Sequence, residues 1–172
     1  MPPKFKCSEC GVDLMPDEVI DHECMIGEGI VVPDVIGEIT AFRSWEIDEA
    51  TGLLLSLNGE RWKPDGWLIA DCKTHLLGHT VSNIPVEGCT CGIYAAKTRE
   101  HLADMSYNRY HPGMKRVIGE VALAGKVIPG TQGYRALKAR PTKIFVPYEY
   151  WQLVALLEHT YKIPVELDNT LR

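Results

Sequence analysis

The chain has 172 residues, 45% of them hydrophobic and 24% charged, with a formal net charge of −5. Such a length and composition suit one medium globular domain or a small domain with an appendage. No apolar run reaches the roughly eighteen residues of a membrane-spanning helix, and no apolar stretch follows Lys4 and Lys6 as in a secretory signal.

Taken in chain order, residues 1–26 read as a self-contained unit. Phe5-Lys6-Cys7-Ser8-Glu9-Cys10-Gly11 predicts a short strand entering a tight knuckle. Met15 to His22 predicts a short helix, with Pro16 in its first turn and Asp17 and Glu18 at the positive end of its dipole. A connector over Gly27 to Pro33 follows. From residue 35 onward the pattern is that of a second unit reaching residue 172. Ile39 to Ile47 and Leu53 to Leu57 predict a hairpin across the polar turn 48–52. Asn58-Gly59 and Lys63-Pro64-Asp65-Gly66 mark further turns. Residues 72–92 read as a loop, and Ile93 to Ser106 as a helix with Thr98 a candidate N-cap. Val117 to Ile128 predicts a strand bent at a glycine, and Tyr134 to Arg140 its returning partner, ended by Pro141. Trp151, Val154, Leu157 and Tyr161 follow the spacing of an amphipathic helix over Tyr148 to Tyr161, and Ile163 to Leu167 closes the chain as a short strand. The expected class is α+β: an N-terminal zinc finger, then a domain of antiparallel β-hairpins with two helices.

The six cysteines fall into two groups. A cytoplasmic, reducing compartment is expected, where clustered thiols point to metal or catalysis before disulfides. Cys7-x2-Cys10-x11-His22-x-Cys24 offers zinc two thiolates on one knuckle and two returning ligands. His22 and Cys24 diverge by about 200° on a continuous helix, so that helix must end near His22 for both to bind. Cys72-x2-His75-x3-His79-x9-Cys89-x-Cys91 offers five candidates for four places, the preferred set being Cys72, His79, Cys89 and Cys91 with His75 the substitute. Each group reads as a closed site with four protein ligands, and closed zinc is structural rather than catalytic. The competing reading is of buried cysteines and ordinary loop histidines.

Charge is unevenly spread. Residues 1–72 carry a net of −10 and residues 95–145 a net of +7. Basic segments of this kind, with Arg109, Lys115, Arg116 and Arg135 among Tyr107 and Tyr110, suit an anionic partner such as nucleic acid. The alternative is that the two halves attract each other within one fold. No phosphate loop, dinucleotide fingerprint, nucleophile elbow or His-Glu-x2-His is present in the sequence. An enzyme would draw on His101, His111, Tyr134 and Arg135 near the Cys-x-Cys loop.

Cys89-Thr90-Cys91-Gly92-Ile93-Tyr94-Ala95 and Gly133-Tyr134-Arg135-Ala136-x2-Ala139-x-Pro141 resemble a family of uncharacterised proteins from actinobacteria and their phages. Gly119 to Val127 matches the family's Gly-x-Val-x-Leu-x-Gly-x-Val strand, and Trp45, Trp62 and Cys72 stand in suitable places, so the similarity spans roughly 37–167. Ala124 departs from it where a tryptophan is expected, and the N-terminal finger is an addition. The resemblance implies that the second cysteine cluster is an architectural unit, and transfers no activity. The function expected is a zinc-containing, non-enzymatic binding protein, a phage-encoded factor contacting a host protein or nucleic acid, with no membrane partner. A nucleic-acid-binding protein using 95–145 ranks beside it, and an enzyme below both.

Overall fold

A computed structural model gives the architecture. It describes the backbone at residues 5–6, 13–14 and 30–32, and residues 38–72, 79–80, 82–104 and 113–171. Cys7, Cys10, His22 and Cys24 lie outside the described residues, as do His75, Arg109, His111 and the helix expected over 15–22. At the N-terminus β1 (Phe5–Lys6) pairs antiparallel with β2 (Asp13–Leu14). No helix among the described residues is long and apolar enough to cross a membrane.

The described fold is α+β, mostly sheet with two helices. Its strands are β3 (Ile30–Val32), β4 (Ile39–Asp48), β5 (Leu53–Leu55), β6 (Leu68–Ile69), β7 (Ile93–Ala96), β8 (Arg116–Pro129), β9 (Gly133–Pro147) and β10 (Val165–Asp168). The helices are α1 (Arg99–Asp104) and α2 (Leu153–Tyr161). Pairing runs from β4 to β8, from β8 to β9, from β9 to β7 and back from β7 to β4, so the path closes on itself. Closure leaves few unpaired edges. Its weakest joint is β7 to β4, a single pairing of Phe42 with Ala96.

Two irregularities make the closure possible. Gly125 and Lys126 of β8 stand opposite Leu137 alone, and Gly125 has φ +72°, the left-handed geometry of a glycine bulge. The sequence predicts a bend at a glycine of this strand, and the bulge puts it at Gly125. The second irregularity lies where β9 was expected to stop. Pro141 faces Val121 while Lys143 faces Glu120, so Thr142 is the extra residue of a bulge and the strand runs on to Pro147. Proline lacks an N–H for the ladder, and a bulge is one place a strand accepts it. The buried positions of β9 accordingly step from Ala139 and Pro141 to Ile144 and Val146.

Three further elements differ from expectation. Residues 93–96 form β7 rather than the start of a helix, because they pair with Gly133 to Ala136 of β9. The helix begins only after Thr98, whose Oγ1 accepts from the His101 N–H at 3.2 Å as an N-cap does. Part of the expected connector is β3, antiparallel to β8. Finally, β10 runs parallel to β9, so the sheet is not built of antiparallel hairpins alone. The α2 helix supplies the crossover, burying Leu153, Leu157 and Tyr161.

Inside the closed path sit Trp45, Ile47, Leu54, Trp62, Val117, Val121, Leu123 and Ile144, each at most 1% exposed. Trp45 and Trp62 meet edge to face, with centroids 5.4 Å apart and rings at 81°. Tyr161 locks α2 to this core: its hydroxyl donates to the Trp62 carbonyl and accepts from the Leu54 N–H, both at 2.8 Å.

Candidate metal centre

Strand β9 is the platform for the site. On one stretch it pairs with β6, and the Ala70 N–H then donates to the Leu137 carbonyl at 2.8 Å, which delivers Cys72 two residues later. On another it pairs with β7, which fixes the chain just after Cys91 and Gly92. Between them the described residues, 79–80 and 82–91, make turns and no strand. The turn at Thr80 to Asn83 is closed by Asn83 N–H to the Thr80 carbonyl and Thr80 N–H to Asn83 Oδ1, and His79 immediately precedes it. The Cys89 N–H closes the next turn on the Val86 carbonyl, with Gly88 at φ +75°.

These turns bring Cys72, His79, Cys89 and Cys91 together. One donor atom from each lies within 4.8 Å of the others. Cys72 Sγ is 3.3 Å from His79 Nδ1 and 3.8 Å from Cys89 Sγ, and Cys91 Sγ is 3.8 Å from His79 Nδ1. A tetrahedral zinc with Zn–S of about 2.3 Å and Zn–N of about 2.0–2.1 Å sets its sulfurs about 3.8 Å apart and sulfur from nitrogen about 3.6 Å. The donor spacing therefore fits a tetrahedral ion, and none of the three cysteines is in a disulfide. Cys72 and Cys91 are buried, while His79 and Cys89 are half-buried.

Burial pushes the Cys91 thiol above its ordinary range, the Val86 N–H donating to its sulfur at 3.3 Å pulls it partly back, and the neighbouring Cys89 and Cys72 push it up again. Three thiolates this close repel one another. A bound dication removes that penalty and takes them in deprotonated form. A Cys3His group of this geometry could hold a metal ion.

Arg135 organises the loop from behind. Its Nη1 donates to the carbonyls of Val86 at 3.2 Å and Cys91 at 3.1 Å, and also to that of Cys89. One guanidinium thus gathers the backbone oxygens of the Cys-x-Cys turn. Gly92, at φ +112°, permits this approach: a Cβ there would stand 3.0 Å from the Pro85 side chain and 3.3 Å from that of Arg135. Neither role is signalled by sequence spacing, because Arg135 and the loop are more than forty residues apart.

The remaining candidates are dispersed. Arg135 and Tyr134 are neighbours on β9 and so face opposite sides, Tyr134 lying under Lys97 at 5.6 Å. Of the two, Arg135 is the one that reaches the Cys-x-Cys loop. His101 is half-buried on α1. Lys115 is paired with Glu49 at 2.6 Å, and Arg116 is exposed at the start of β8. Other cations of the basic segment also meet carboxylates: Arg140 with Glu38, Lys143 with Glu166 and Arg99 with Asp168. Glu38 and Glu49 belong to the acidic segment, so part of the charge asymmetry is resolved inside the fold.

No family model matches the chain, and neither a curated protein nor a solved structure matches it.

Proposed function

We propose that Cys72, His79, Cys89 and Cys91 hold a structural Zn2+ and that the protein is a non-enzymatic binding protein built around it. The tetrahedral spacing of the four donors carries this reading. Four protein ligands leave no position for a reacting water, which favours architecture over catalysis. Cys7, Cys10, His22 and Cys24 are the ligands of a second, N-terminal zinc in the same proposal. A protein partner is preferred to nucleic acid, because Lys115, Arg140 and Lys143 already have carboxylate partners and Tyr148 and Trp151 stand 62% and 58% exposed. Exposed aromatics are the side chains that protein interfaces favour. With the resemblance to the actinobacterial and actinophage family, this becomes a phage-encoded factor contacting a host protein.

Metal analysis of the purified chain tests the core of it. Cys91→Ser should hold about one zinc equivalent fewer than the unaltered protein, and cobalt loading should give the intense charge-transfer band of thiolate ligation. Equal metal content in the two proteins overturns the assignment. A low-salt gel shift tests the choice of partner: retardation of nucleic acid at micromolar protein would reverse it.

A further inference from the structure

The single-pair joint between β7 and β4 opens into a cleft. Past Phe42 and Ala96 the two strands diverge, and the space between them has a volume of about 420 Å³. That is within the range of small-molecule sites, roughly 300–1,000 Å³. One wall is the Cys91-Gly92 turn of the metal loop, the other the turn that follows β5.

The residues lining it carry both signs of charge. Arg43, from β4, is half-buried and fixed: Nη1 donates to the Tyr94 carbonyl, Nη2 donates to Ser56 Oγ at 3.1 Å, and the guanidinium lies 5.2 Å from the centre of the Trp62 ring. Ser56 is itself held, accepting from Trp62 Nε1 at 2.7 Å. Glu60 and Asp71 line the same cleft, Glu60 half-buried and Asp71 exposed. Neither carboxylate has an ion-pair partner among the described residues, whereas Glu38, Asp48, Glu49, Glu166 and Asp168 all do. Leu57, Ala70 and Ile93 add apolar lining to the same cleft.

A fixed cation and two carboxylates around an apolar space match a molecule with opposite charges on an aliphatic body. We infer that the cleft binds a small aliphatic zwitterion of the amino-acid or dipeptide class, its carboxylate toward Arg43 and its ammonium toward Glu60 and Asp71. Because the carboxylates outnumber the guanidinium, the ammonium is the more stringent requirement. This site stands on the cleft and its side chains, independently of whether the neighbouring thiols hold an ion.

The test is a titration of the full-length protein, as purified, with L-leucine, N-acetyl-L-leucine and L-leucinamide, followed by the Trp62 indole and the Ser56 and Tyr94 amide resonances. L-Leucine should give saturable shifts, and each blocked relative should bind at least about tenfold more weakly. The double variant Glu60→Gln/Asp71→Asn should keep its native spectrum and bind L-leucine no better than N-acetyl-L-leucine. Absence of saturable shifts up to about 10 mM L-leucine, equal responses to all three probes, or an unchanged preference in the double variant would each overturn the inference.

Discussion

The β8–β9 ribbon and the loop from Cys72 to Gly92 share one platform and are held by opposite means. In the ribbon, long ladders carry apolar side chains such as Val121, Leu123 and Ile144 to complete burial, and hydrophobic transfer supplies the stability. In the loop, the described residues bury Cys72, Ile84, Pro85 and Cys91, and directional contacts converge there: the Arg135 guanidinium on three carbonyls and four candidate metal donors. A fold can therefore place a polar constellation on short turns whose two flanks are paired to one long strand.

The largest test of the ribbon is Gly119→Ala. A Cβ at this position would lie 2.1 Å from the Lys143 carbonyl oxygen and 2.9 Å from the Trp45 ring. Both neighbours are fixed, so the substitution should cost roughly 3 kcal/mol or more by urea denaturation. A cost under about 1 kcal/mol would show that β8 and β9 separate cheaply and that the contrast is overstated. The corresponding test of the loop is Cys91→Ser or chelation, read by hydrogen exchange. Amides of 84–96 should exchange at least about tenfold faster, while those of 117–123 keep their protection. Equal loss in both would make them one cooperative unit.

How much of this was legible in the sequence follows the same division. The β4–β5 hairpin was readable because its turn is local: Asp48 Oδ1 accepts from the Ala50 N–H, the Asp48 carbonyl accepts from Thr51 and Gly52, and Gly52 sits at φ +71°. A bend at a glycine of β8 was also expected, but which glycine carries it is set by the register with β9, which puts the bulge at Gly125. Ile93 to Ala96 was read as helix because Tyr and Ala carry no strong local preference against it, and the pairing with β9 that decides the matter is invisible in sequence. Pro141 was read as a stop because the bulge at Thr142 depends on the register with β8. At the site, spacing singled out Cys72, His79, Cys89 and Cys91, and the structure brings these four together. The grip of Arg135 and the cleft beside Arg43 arise only from contacts between distant segments.

A middle-sized effect is expected where the two kinds of order meet. Tyr161→Phe removes the acceptor for the buried Leu54 N–H and the donor to Trp62, and should cost about 1–3 kcal/mol. Burial pushes the Tyr161 hydroxyl up to about 12. The neutral form is thus the native one: its contribution is complete below about pH 10 and is lost as pH rises through about 12, so Tyr161→Phe should flatten the alkaline limb of a melting-temperature profile. Retention of the wild-type alkaline limb in that variant would assign the transition to other groups.

The smallest expected effect is at the Arg99–Asp168 pair. The Thr170 hydroxyl and backbone N–H, together with Arg99, hold the Asp168 carboxyl below its ordinary range. Its contribution is therefore present above about pH 4 and is lost on acidification. Asp168→Asn should reduce the acid sensitivity of the melting temperature, by an amount equivalent to less than about 1 kcal/mol. An unchanged acid limb would remove this pair from the account.

The order of strands along the chain bears on how the molecule assembles. The β8–β9 ribbon joins across the short turn 130–132 and closes quickly, whereas β4 must find β8 across the whole of residues 49–115, setting Glu46 against Arg116 and Ile39 against Leu123. Residues 72–91 lie inside that stretch. An ion held by Cys72 and Cys91 would cinch about twenty residues out of it, at the modest entropy of a short loop, and so would bring β4 closer to its partner during the search. The thiols would then speed folding as well as order one turn of the finished protein.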